Sequence, residues 1–215
     1  PTGLLATGGS AQVALTWSAS AGAATYVVRR GTAPGGPYTD FGTPSVPSYT
    51  DTGRTAGTTY YYVVAAVNAA GTSANSSEAN AITKSPAPTG LLATGGSTQV
   101  SLTWSTSTGA ASYVVRRGTA PGGPYADVGT PTSANFTDTG LWAGTTHYYV
   151  VAAVNAAGTG ANSSEASAIT IPATPTGIVA TGGSAQVALT WSASGGAASY
   201  VVRRGTAPTG PYSDI

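Results

Sequence analysis

The chain has 215 residues, 7% of them charged, with a formal net charge of +1, one histidine and no cysteine. That balance offers no basic surface for nucleic acid, and the missing cysteines exclude disulfides and thiolate metal sites. No apolar run is long enough to form a membrane-spanning segment.

From the N-terminus, Gly3–Thr7 reads as a short edge strand between Pro1 and the Gly8-Gly9 turn. Gln12–Ser18 alternates strictly and places Val13, Leu15 and Trp17 on one face, predicting a half-buried strand. After the small-residue loop Ala19–Ala24 comes Thr25–Arg30, with Tyr26 and Val28 facing a core and Val27 and Arg29 facing outward. Gly31–Tyr38 is dense in turn formers and predicts a tight reversal. Short strands are expected around Tyr38–Phe41 and Ser48–Thr52. The longest segment starts at Thr59 and closes on Asn68-Ala69-Ala70-Gly71, which predicts a long strand running into a turn. Tyr60, Tyr62, Val64 and Ala66 share one face; Tyr61, Val63, Ala65 and Val67 share the other. With both faces apolar, this is a central strand packed on one side and at least partly covered on the other. Ala74–Thr83 predicts the closing strand.

Pro1–Ser10 recurs from Pro88 and, slightly changed, from Pro175, so the period is 87 residues. Residues 1–87 and 88–174 differ at 21 positions, and the third copy ends at Ile215. Three units follow: repeat 1 at 1–87, repeat 2 at 88–174, and the N-terminal half of repeat 3 at 175–215. A unit of this size can bury its own core. The missing methionine suggests a processed chain or an excerpt, and the partial third copy favours an excerpt of a longer array. The joints Lys84–Pro88 and Ile171–Pro175 carry two prolines each, which favours extended backbone and limits bending. A ten-residue strand spans about 33 Å, so each unit should add on the order of 35–40 Å to a regular rod.

Seven short strands, turn signals every ten or so residues and no helical period predict tandem antiparallel β-sandwiches, an all-β fold. The chain resembles the fibronectin type III family. A Trp on the second strand (Trp17, Trp104, Trp191) and a Tyr on the third (Tyr26, Tyr113, Tyr200) match that family. So does the frame Tyr60, Tyr62, Val64, Ala66, Gly71 on the sixth strand, while the hairpins Arg30–Tyr38 and Arg117–Tyr125 look like a variant of bacterial secreted proteins. The resemblance implies a tyrosine corner at Tyr60, which repeat 2 replaces with His147, and a preceding Leu, present as Leu141 but replaced by Arg54 in repeat 1. An imidazole can still donate one hydrogen bond there. Repeat 2 is then expected to be the less stable, unless Leu141 and Trp142 refill the space.

Little in the sequence supports catalysis. One histidine at a structural position cannot supply a hydrolytic triad, and no acid pair marks a glycosidase cleft. Asp51-Thr52-Gly53 and Asp138-Thr139-Gly140 fit turns closed by side-chain-to-backbone bonds better than calcium sites. Neighbouring strand residues point to opposite faces, so Arg29-Arg30 and its copies are no two-pronged clamp; one is expected to pair with an acid or lie over an aromatic, the other to be solvated. No Arg-Gly-Asp occurs. Asn75, Asn135 and Asn162 head sequons and are candidate glycosylation acceptors. The expected function is a non-catalytic rod in a long extracellular or cell-surface protein, without cofactor or metal, packing with like chains or neighbouring repeats into an appendage, filament or adhesin stalk. Tyr61, Val63, Val67, Trp142, Tyr148, Val150 and Val154 are the candidate lateral or inter-repeat contacts. The alternatives are spacer domains of a secreted polysaccharide-degrading enzyme, or a carbohydrate-binding module using Trp142.

Overall fold

The computed structural model describes residues 1–215 and contains strands and turns only; no helix is long and apolar enough to cross a membrane. Repeat 1 runs β1 (Thr2–Gly9), β2 (Gln12–Ser18), β3 (Thr25–Gly31), β4 (Thr39–Gly42), β5 (Ser48–Thr52), β6 (Thr59–Asn68), β7 (Gly71–Thr72) and β8 (Ala79–Ile82). Repeat 2 follows with β9 (Thr89–Gly96), β10 (Gln99–Ser105), β11 (Ser112–Gly118), β12 (Tyr125–Gly129), β13 (Asn135–Thr139), β14 (Thr146–Asn155), β15 (Gly158–Asn162) and β16 (Ala166–Ile169). The remaining segment contributes β17 (Thr176–Gly183), β18 (Gln186–Ser192), β19 (Arg203–Arg204) and β20 (Ser213–Asp214).

Each complete repeat is two antiparallel sheets face to face. One has the order β1-β2-β5; the other has β4-β3-β6, with β7 and β8 both pairing the far side of β6. Repeat 2 repeats this order strand for strand. The alternation that defines β2 and β6 builds the core: Val13, Leu15 and Trp17 meet Tyr26, Val28, Tyr60, Tyr62 and Val64. Burying each aliphatic side chain contributes about 1.5–3 kcal/mol. Trp17 and Tyr26 pack edge to face with ring centres 5.3 Å apart, and Trp104–Tyr113 and Trp191–Tyr200 copy the arrangement.

The expected closing strand is broken, for a local reason. Between β7 and β8 the chain stays beside β6, but serine hydroxyls replace two backbone acceptors. Ser73 Oγ accepts the Ala66 N–H at 2.9 Å, and Ser76 Oγ accepts the Val64 N–H at 3.0 Å. In repeat 2, Gly160 stands where Ser73 does, and β15 is a five-residue strand where β7 has two.

The outer face of the long strands differs from the expected apolar row. Arg29 lies opposite Val63, and Val27 opposite Ala65. Arg29 reaches Asp40 at 2.7 Å and also donates to Asn75, so its aliphatic stem lies along that face. Val63 and Ala65 are 4% and 0% exposed, and Val150 and Ala152 match them.

Candidate functional site

Strand β5 carries Asp51 one residue before its end, and the carboxylate is fully buried, an arrangement that is costly unless the charge is paired and hydrogen-bonded. Here it is. Arg30, on the inward side of β3, donates to both oxygens at 3.2 and 3.1 Å; Arg54 Nε lies 3.0 Å away; the Tyr62 hydroxyl donates at 2.8 Å. Burial, and then the bond to Asp51, pushes the Tyr62 phenol well above its ordinary range. The Arg30 guanidinium also lies 4.6 Å from the centre of the Phe41 ring. The aspartate therefore does not close its turn through the backbone, as expected from Asp-Thr-Gly; it ties β3, β5 and β6 together through side chains. Nor is either arginine of the pair left to solvent, since Arg29 holds Asp40 and Arg30 holds Asp51.

Repeat 2 keeps part of this network. Arg117 and Tyr149 hold Asp138 at 2.8 and 2.9 Å, but Leu141 replaces Arg54 and joins the core. The tyrosine corner changes more. Tyr60 Oη accepts the Thr55 N–H at 3.1 Å, whereas His147 is buried and neither ring nitrogen has a partner. The expected imidazole hydrogen bond is thus not made. Burial, with Arg117 second, lowers the His147 pKa, and Asp138 opposes them. Leu141 is buried as expected, while Trp142 is 84% exposed and fills nothing.

At the other end of the hairpin loop, Glu78 accepts hydrogen bonds from the Tyr38 hydroxyl and the Gly35 N–H, and Glu165 does the same for Tyr125 and Gly122. The bond to the glutamate raises the phenol pKa in both cases. Asp40, Asp51 and Glu78 are thereby engaged as structural acceptors, and what the arrangement can do chemically is hold strands in register. No three His, Asp or Glu side chains converge.

The candidate glycosylation acceptors Asn75, Asn135 and Asn162 are exposed; Arg29 and Arg116 hold Asn75 and Asn162 by their Oδ1 atoms. Of the candidate contact residues, Val63 and Val150 are buried within their own repeats and offer no free surface, a correction caused by the arginine stems across them. Tyr61, Val67, Tyr148 and Val154 are half-buried.

The linker prolines mark the joint in the sequence, but the contacts across it leave no sequence signal. Thr83, fully buried, pins the loop before β6: its hydroxyl donates to Thr55 O, and its carbonyl accepts the Gly57 N–H at 3.0 Å. That same carbonyl accepts Asn155 Nδ2 of repeat 2 at 2.9 Å. Gly57 rests on Gly109, and both have left-handed backbones (φ +70° and +72°). A Cβ on Gly109 would lie 2.9 Å from Ala56 O, too close for a side chain. Gly144 and Gly196, the same two positions one repeat on, also meet, and more closely. The linker residue Ser85 is fully buried beneath Gly160. At the N-terminal pole of repeat 1 the matching surface is an open hollow of about 360 Å³ that includes Pro1, Gly22, Asn68 and Ser73. There Asn68 Nδ2 turns back to Gly22 O of its own repeat at 3.2 Å.

No family model matches the chain. It is 35% identical over 245 aligned residues to Exoglucanase B of Cellulomonas fimi, covering 98% of this chain and 21% of that protein. The chain therefore spans about a fifth of that relative's length. An Fn3-like protein from Clostridium thermocellum is 46% identical, over 41% of this chain and 96% of its own, with a TM-score of 0.37. A segment of two fibronectin type III domains from chicken tenascin aligns over 79% of this chain and 99% of its own, at 18% identity and a TM-score of 0.50. Sheet order, the repeated Trp–Tyr core and the likeness to the tenascin pair agree: the chain is a tandem of fibronectin type III folds, two of them complete.

Proposed function

We propose that the chain is a stiff, non-catalytic spacer in a longer extracellular protein, setting the distance and direction between the parts it connects. The observation that carries this is the joint: both junctions bring the same two glycine positions into backbone contact, which supports a defined seat for each repeat on the one before it. Short proline-bearing linkers add to the stiffness. The similarity to Exoglucanase B favours a spacer inside a secreted enzyme acting on a glucan or a related polysaccharide, with catalysis in domains other than these.

A second reading, a stalk or filament of like chains, is favoured by one observation, the near-identity of the repeats. Burial of Val63 and Val150 removes the apolar row that would drive lateral packing. Small-angle scattering of the full chain across a concentration series separates the readings. A spacer gives an elongated monomer with one narrow inter-repeat distance. A broad distribution, as from beads on a flexible string, overturns stiffness, and concentration-dependent fibres favour the stalk.

A further inference from the structure

The joint between repeats 1 and 2 is a built surface. On one side stand the Ala56-Gly57 loop and the linker Thr83–Ser85; on the other, the N-terminal pole of repeat 2 with Gly109, Asn155 and Gly160. Ala153 at this pole is fully buried, and Gly158 to Gly160 are half-buried. At the free pole of repeat 1, Ala66 is half-buried and Gly71 to Ser73 are exposed. Gly22, the counterpart of Gly109, has nothing within 4 Å of where its Cβ would be.

The two poles differ chemically at one place that touches the linker. A Cβ on Gly160 would lie 2.5 Å from Ser85 O and 3.3 Å from Ala153 O, both backbone atoms that cannot rotate away. Repeat 1 carries Ser73 there, its hydroxyl accepting the Ala66 N–H and donating to Ala74 O. Gly160 does not have a left-handed backbone, so its requirement for glycine is the space taken by the linker, not its φ.

We propose that Gly160 is the residue that lets a repeat seat the linker of the repeat before it, and that Ser73 closes the pole of repeat 1 to that geometry. The partner that fits the pole of repeat 2 is thus specific: the C-terminal loop and linker of a fibronectin type III repeat with glycine at the place of Gly57. The asymmetry makes joint formation selective among repeats that are otherwise nearly the same. It holds whether the chain serves an enzyme or a stalk.

The test is Gly160→Ser in the full chain, with Gly160→Ala beside it. The chain has no native cysteine, so spin labels at Thr39→Cys and Ala126→Cys, both exposed, read the distance between repeats 1 and 2. Wild type gives one narrow peak. Both variants lose it and lose the protected Asn155 side-chain amide, because the Cβ is the colliding atom. Folding of repeat 2 is not at issue, since repeat 1 is a complete sandwich with serine at this position. A second arm places a further copy of residues 1–87 ahead of Pro1, so that Ser73 faces a linker. That new joint gives a broad distance distribution, and Ser73→Gly narrows it. An unchanged narrow peak in Gly160→Ser and Gly160→Ala, or a narrow new joint with Ser73 in place, overturns the proposal.

Discussion

Asp51 and Asp40 are both paired with arginine, yet they stand at opposite ends of what an ion pair contributes. Asp40 is 64% exposed, and its pair with Arg29 is screened by water; Asp51 is sealed, with two guanidinium groups and a phenol around it. Asp51→Ala should therefore destabilise repeat 1 by about 3–5 kcal/mol, leaving buried donors without an acceptor, whereas Asp40→Ala should cost under about 1 kcal/mol. Denaturant unfolding of the two variants checks the ratio, and equal losses would contradict the burial argument. His147 makes a pH-dependent prediction. Its folded pKa is lowered, while in the unfolded chain it titrates near 6.5. Below that pH the unfolded chain takes up a proton that the folded repeat resists, so stability falls as pH drops through about 6.5 and levels off below the folded pKa. Above it the ring is neutral in both states, and nothing changes. His147→Tyr should abolish this slope and leave the carboxylate contributions in place. Unfolding midpoints of both chains at about pH 7.5 and about pH 5.5 read the difference.

The strands β6 and β14 show how far element-level reading goes. Alternation alone places Tyr60, Tyr62 and Val64 in the core, and the structure puts them there. The same alternation sends Val63 to the outer face, where pattern offers no means of knowing that Arg29, opposite it, lays its stem across the sheet. Val63→Ala should thus cost about 2 kcal/mol in unfolding free energy, as loss of a buried side chain does. If Val63 were a free lateral contact, stability would hold and self-association would change instead. The broken closing strand was equally hard to read. A serine hydroxyl can take over a carbonyl's hydrogen bond without altering the hydrophobic pattern, so Ser73 and Ser76 leave no periodic mark. The role of the acids is hidden from the sequence for a related reason. Asp-Thr-Gly spells a turn locally, and the partners Arg30 and Tyr62 that claim the carboxylate come from strands distant in sequence.

For the whole molecule, the 87-residue period made the units and linkers legible, and from these the sequence predicted a regular rod. The contacts made at the joint were not legible. Gly57 and Gly109 look like ordinary turn glycines until two repeats are set together, and Asn155 differs from Asn68 only in having a neighbour within reach. The repeats thus meet by backbone laid on backbone, with prolines in the linker between them. Trp142 stands apart from this economy of small residues. Its indole is open to water on the loop that carries Gly144, while Trp17 and Trp104 are sealed in their sandwiches. Repeat 2 in this way holds an optical probe: a collisional quencher of fluorescence reaches that indole and is shut out from Trp17 and Trp104, so once the half-buried Trp191 is replaced by Phe, anything that settles on this end of the repeat announces itself in the emitted light.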